Sequence, residues 1–531
     1  MALPSVHPTP TLGARLWRLR YTVGYLAVYL TCLGGFAYTL ARFRDPHSGY
    51  SSLILFGEHF SLRRLPRLGD VPLYTYAHHD GYDGQFYAQI AVAGNPFDRA
   101  LGRALDDPAY RERRLLLPLA AHLVGLGRPG AIVQIFALAN LFCLALLAAL
   151  LARWWFPPTD LHNLCRWAAV VFGAGMVVSA ARSLTDGPAL LLVAIGIRQI
   201  ERGRTWPAAA VLALAGLARE TSLLAAIAFW PPPGATAPAR RRALLAALAC
   251  VGPIAVWMAI LAARYGRVGG LDNLAPPFWA LSAKARELSA AWRARGFDAA
   301  VRDEILVAVG LGVQIVFVVA RPRPAEPWWR VGAAFATLAA LLGWPVWEGF
   351  PSAVARAALP LTLAFNRLAP RTRAGLALLL AGNLGLFALP DLLEAYAPTE
   401  QLLFTGGVGA RYDAGGLAPE HAGRDTWRWA TGPATIALGN PGQRPRAVSV
   451  DFALRSVTAR VVTVAAAGAP PLRVVLPPDA RVPVHLGPFP LPPGRTDVVF
   501  STDASAWHEP GGGRPLAFAV YGFYTAVSPA L

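Results

Sequence analysis

The chain has 531 residues, 55% of them hydrophobic and only 15% charged, and a mean hydropathy of +0.41. A soluble protein carries charge at about a quarter of its positions, so this composition excludes a wholly soluble one, and the apolar residues come in long blocks of the kind a bilayer span needs. The net charge of +18 comes from 49 Lys and Arg against 31 Asp and Glu, with basic clusters between apolar blocks, so it reads as topology-setting turns and not as a nucleic-acid surface.

In chain order, the first apolar run, 21–40, follows Arg15, Arg18 and Arg20 without a cleavable signal pattern. It reads as an uncleaved span with a cytoplasmic N-terminus. A long polar loop, about 41–114, then lies outside. The apolar stretch 115–126 suits a helix at the membrane surface, and 131–151 is the second span. Spans three and four flank Arg182-Ser-Leu-Thr-Asp-Gly-Pro188. Residues 206–230 carry basic residues at both ends (Arg202 and Arg204; Arg240 to Arg242) and Arg219-Glu220 in the middle. That pattern predicts two short helices in a hairpin with the charged pair at the bend. Spans at 243–263, 306–320, 331–345, 351–366 and 374–392 follow, for about eleven crossings in a membrane domain covering 1–394. From 395 to 531 the texture changes to short alternating runs such as 447–452, 460–464, 472–476 and 497–500, separated by Pro and Gly turns. This predicts an extracytoplasmic antiparallel β-sandwich of about eight strands. The cysteines Cys32, Cys143, Cys165 and Cys250 all lie in or beside apolar runs, with no disulfide framework or CxxC site.

The first outside loop holds most of the chemistry. It reads His78-His-Asp-Gly-Tyr-Asp-Gly-Gln-Phe-Tyr87, and it ends in Asp106-Asp-Pro-Ala-Tyr-Arg-Glu-Arg-Arg114. Asp80 and Asp83 sit among glycines, which let backbone approach a substrate, and aromatics, which offer flat faces to a sugar ring. Either carboxylate is placed to act as a general base, or else to cap a turn or helix. His78 and His79 suit solvation better than shared metal ligation, because adjacent side chains diverge on extended backbone. Arg111, Arg113 and Arg114 either bind a phosphate or pair with Asp106, Asp107 and Glu112. At membrane depth, Asp186, Arg219, Glu220, Glu348 and Arg356 are functional candidates by default. Arg219 and Glu220 are expected to pair, and Arg356 to bind phosphate. Carboxylates with a phosphate would recruit Mg²⁺ or Mn²⁺, but no ligand set is visible. Trp427 and Trp429 either bind glycan or fill a core. P-loop, GxGxxG, HExxH and GxSxG motifs are absent.

Two segments, Tyr82-Asp-Gly-Gln-Phe-Tyr-Ala-Gln-Ile-Ala91 and then Arg113-Arg-Leu-Leu-Leu-Pro-Leu119, resemble the polytopic GT-C glycosyltransferases, and most of all the mannosyltransferase-like branch. The resemblance covers roughly 20–390, and the C-terminal part is similar to accessory β-domains of bacterial members. It implies a bacterial plasma-membrane enzyme that moves a sugar from a polyprenyl-phosphate donor to a glycan or lipid acceptor on the extracytoplasmic face. Carried over, Asp83 is the motif aspartate and Asp80 a second carboxylate. Beside the resemblance, the residues' own chemistry sets the expectation that Arg113, Arg114, Arg356, Tyr82, Gln85, Tyr87, Arg219 and Glu220 bind substrate and phosphate. Tyr82 stands where that branch often has Trp. The competing readings are a transporter or lipid flippase, and a non-catalytic glycan-binding protein of the envelope.

Overall fold

The computed structural model describes residues 12–45, 48–57, 60, 63–69, 71–76, 79–231, 234–267, 269–349, 353–394, 401–404, 408–416, 420–422, 425–440, 444–508 and 513–528. The chain forms two compact units: 1–41, 112–117 and 138–395 make one, and 42–111, 118–137 and 396–531 make the other.

The first unit is helical. Among the described residues, four helices are long and apolar enough to cross a membrane: Arg20–Ala41, Pro129–Trp154, Ala237–Tyr265 and Ala299–Ala320. A fifth candidate is the pair Leu161–Val171 and Ala174–Ala181, bent by 43° where Gly173 interrupts it. This corrects the expectation of about eleven crossings, and the reason lies in the helix breakers. The region 351–366 is split into Ala353–Ala357 and Leu359–Leu368, and 374–392 breaks after Gly382. Of the expected span 331–345, residues 331–341 lie in Pro327–Leu341, a 15-residue helix that stops before Gly343, and a separate short helix, Trp344–Trp347, follows. Proline lacks the N–H and glycine the helical preference that a continuous span needs. The predicted hairpin appears as an α-helix, Thr205–Ala218, and a 3-10 helix, Glu220–Phe229, with Arg219 extended between them.

The second unit is β-rich. A small sheet joins β1 (Phe56–Gly57), β2 (Leu73–Tyr76) and β3 (Gln401–Phe404), parallel between β1 and β2 and antiparallel between β2 and β3. The large sheet has nine strands: β4 (Gly409–Gly416), β5 (Glu420–Ala422), β6 (Asp425–Asn440), β7 (Arg446–Arg455), β8 (Arg460–Ala466), β9 (Leu472–Leu476), β10 (Val482–Leu491), β11 (Gly494–Thr502) and the last strand, Phe518–Ser528. Before that strand, β12 (Trp507–His508) and β13 (Pro515–Leu516) pair with each other, so Phe518–Ser528 is β14. The runs expected at 447–452, 460–464, 472–476 and 497–500 lie in β7, β8, β9 and β11. The hydrogen-bonded order is β10-β7-β14-β6-β11-β8-β9, with β4 and β5 also on β6.

Strand β6 turns this path back on itself. Residues 427–430 pair with β14 and 434–440 with β11, while β4 takes the opposite edge. The change falls at Thr431-Gly432-Pro433, where proline brings no donor to the ladder. Strand β6 thus joins the β10-β7-β14 strands to the β11-β8-β9 strands within the one sheet. Val448, Val450, Phe452 and Leu454 of β7 and Val498 and Phe500 of β11 accordingly share one core, with Phe452 edge-on to Phe500 at 5.5 Å.

Candidate functional site

Within the second unit, the first loop is fixed by its own glutamines. Gln85 is buried; its Oε1 accepts from the Gly57 N–H at 3.1 Å and its Nε2 donates to the Asp80 carbonyl at 2.7 Å. Gln89, also buried, accepts from the Leu65 N–H at 3.0 Å and donates to the Ala104 carbonyl at 3.0 Å. Tyr87 is fully buried, so it and Gln85 hold the loop together. Tyr82 is half-buried, and its N–H bonds the Leu55 carbonyl at 3.0 Å.

The segment 79–81 lies directly on Gly57. A methyl group there would collide with backbone of His79, Asp80 and Gly81, and Gly81 itself has φ +79°, which favours glycine. Gly57→Ala must therefore push this strip away. The expected cost is about 1–3 kcal/mol, read as a lower unfolding midpoint by tryptophan fluorescence.

Asp83 opens the helix Asp83–Ala93, where a negative charge suits the helix dipole. Its carboxylate meets Arg111 Nη1 at 2.8 Å, and Asp106 grips the same guanidinium through Nε at 2.8 Å and Nη2 at 2.6 Å. Arg111 stacks over Phe86 at 4.9 Å and Tyr110 at 5.2 Å. Burial works to lower the Arg111 pKa, but Asp83 and Asp106 outweigh it and hold the pKa well above the usual value. Arg111 is thus a permanent cation, and the Asp83 side chain stays 23% exposed beside it. Asp80 is exposed, and His79 Nδ1 accepts from the Gly81 N–H at 2.7 Å. His78 lies outside the described residues.

A divalent ion does not fit this donor set. Asp83 and Asp106 are bridged by a guanidinium, which takes the place a cation would need. Among the described residues no group of three or more His, Cys, Asp or Glu could hold a metal ion.

The first unit holds a separate chain of buried charges. Arg114 pairs with Glu220 in two bonds, Nε to Oε2 at 3.1 Å and Nη2 to Oε1 at 3.0 Å. Arg219 pairs with Asp186, and Arg356 reaches the same carboxylate at 3.3 Å. The expected Arg219–Glu220 pair is thus corrected: extended backbone at Arg219 sends neighbouring side chains to different partners. Asp186, 2% exposed at the start of the helix Asp186–Glu201, was legible as a membrane-depth charge, but its two arginines lie far away in sequence. Arg113 is buried and Glu348 exposed.

Glu112 is buried, its carboxylate accepting from the Tyr265 hydroxyl at 2.9 Å and its carbonyl from Trp257 Nε1 at 2.8 Å. Burial raises its pKa to about 7, against the lowering effects of Tyr265 and Arg264. A raised folded pKa means stability is fully present below the unfolded value, 4.5, and lost as pH rises through about 7. The unfolding midpoint should therefore drop across that window, and Glu112→Gln should flatten the drop in a pH series of melting curves.

In the β-domain, Trp429 is buried, and Trp427 stacks on Tyr521 at 5.2 Å and packs on the same small core. These aromatics fill a core.

No family model matches the chain, and no curated protein matches it. Among solved structures, the arabinosyltransferase EmbB from Mycobacterium smegmatis matches with a TM-score of 0.35 and 12% identity, over 99% of this chain. The chain spans 66% of that protein's length, and so distant a likeness carries no argument about activity or substrate.

Proposed function

We propose that the chain is a membrane glycosyltransferase that moves a sugar from a polyprenyl-phosphate donor to an acceptor hydroxyl, with Asp83 as the general base. The observation that carries the reading is Asp83 itself: a partly exposed carboxylate at a helix start, fixed by Arg111, inside the loop segment that resembles the GT-C transferases. The acceptor oxygen attacks the anomeric carbon, its proton passes to the Asp83 carboxylate, and the bond from that carbon to the phosphate oxygen breaks. The leaving lipid phosphate needs positive charge, of the kind a guanidinium fork supplies. Asp80 is the second carboxylate. The four long apolar helices supply the bilayer setting such a donor requires.

The test is label release from polyprenyl-phosphate mannose, glucose and arabinose, offered separately to the full chain in vesicles with a glycan or lipid acceptor. One donor should be consumed by wild type and spared by Asp83→Asn. If no donor is consumed, or if both proteins consume it equally, the reading fails.

A further inference from the structure

The basic turns of the helical unit do more than the topology reading asks of them. The end of the helix Asp186–Glu201, the start of Thr205–Ala218, the end of Glu220–Phe229 and the start of Ala237–Tyr265 border a half-open recess of about 630 Å³, lined by Ile200, Thr205, Phe229, Pro238, Ala239 and Arg242 among others. Five exposed arginines lie in or beside these segments: Arg202 and Arg204 just before Thr205, and Arg240, Arg241 and Arg242 near the start of Ala237–Tyr265, of which Arg242 lines the recess. The nearby acid, Glu201, is already engaged by Arg198 at 2.9 Å and by Trp155 Nε1 at 3.1 Å. Among the described residues none of the five arginines forms an ion pair.

The apolar surroundings give the depth. Trp206 is 52% and Trp230 65% exposed, and large exposed indole rings favour the interface between headgroups and hydrocarbon. Leu244 and Leu245, 56% and 44% exposed, follow Arg242 within one turn. The helix Ala237–Tyr265 has 29 residues and so runs about 44 Å, against a hydrocarbon core of about 30 Å. Its first turns therefore stand at headgroup level, with the leucines below.

We propose that this recess binds an anionic phospholipid, its phosphate among Arg202, Arg204 and Arg240–Arg242 and its acyl chains along Leu244 and Leu245. Guanidinium forks match phosphate geometry, and basic pockets between spanning helices suit anionic headgroups. The site rests on Ala237–Tyr265 crossing a membrane and uses no residue assigned to sugar transfer, so it stands or falls independently of Asp83.

The experiment is native mass spectrometry of the full chain in detergent, titrated with phosphatidylglycerol and with phosphatidylcholine. Wild type should retain phosphatidylglycerol preferentially. The triple variant R240Q/R241Q/R242Q should lose about 100-fold of that preference, each arginine contributing about fivefold. R202Q/R204Q, in the turn before Thr205, should lose part of it, and R286Q/R293Q, on another exposed helix, none. Millimolar inorganic phosphate should leave the bound lipid in place, because the acyl chains also hold it. Equal retention of both lipids by wild type, an unchanged preference in the triple variant, or displacement by phosphate would each overturn the assignment.

Discussion

Asp83→Asn should lower sugar transfer by about 10³-fold while the protein still inserts and purifies as wild type. The amide keeps the size and the hydrogen-bonding edge of the carboxylate, so helix Asp83–Ala93 still starts where it does, and Arg111 keeps Asp106 as its bidentate partner. What is lost is the group that takes the acceptor proton. The measurement is single-turnover label transfer at saturating donor, with donor binding followed separately. A fall in turnover at unchanged donor affinity supports the base; loss of affinity with intact turnover would move Asp83 to a binding role. Asp106→Asn is the matched control, since it removes a carboxylate from the same arginine without touching the proposed base.

The second large effect concerns stability. Asp186→Ala should destabilise the helical unit by about 3–5 kcal/mol, because it removes the carboxylate that two buried guanidiniums share. Arg219 and Arg356 are 8% and 5% exposed and share this one carboxylate, and Arg219 also donates from Nε to the Thr221 hydroxyl at 3.1 Å. The effect should appear as a lowered melting midpoint and aggregation on size exclusion. The exposed His485–Asp451 pair offers the contrast: Asp451→Asn should leave the midpoint within error, since solvent already screens both partners.

These two aspartates also mark what the sequence can and cannot tell. Asp83 is visible because its neighbours Gly84, Gln85, Phe86 and Tyr87 form a local pattern; in the structure it starts a helix and stays partly exposed. The strands β7, β8, β9 and β11 were visible for the same reason, as period-two alternation is local. Asp186 reads from the sequence only as a charge in an apolar setting. Its partners depend on how helices far apart in the chain come to pack, which no spacing encodes. The motif puts Gln85 and Tyr87 in the substrate-binding set, yet Gln85 spends its amide on the backbone of Gly57 and Asp80 and Tyr87 is wholly enclosed. A motif tells which residues matter before it tells what they touch. The span count failed for a related reason: hydropathy marks apolar stretches, and only Pro360, Gly343 or Gly382 in their actual backbone settings show where a helix stops.

The three-stranded sheet imposes an order on biosynthesis. Tyr76 of β2 pairs with Gln401 of β3, so the whole stretch from 77 to 400 must leave the ribosome before that edge closes. Until then β2 waits with one side of its ladder unpaired, at risk of meeting another chain. Closing so long a loop adds little equilibrium cost, since the entropy grows only with the logarithm of length, but it delays the event. The loop that carries Asp83 therefore reaches its finished form late, when the nascent chain has already delivered its apolar helices.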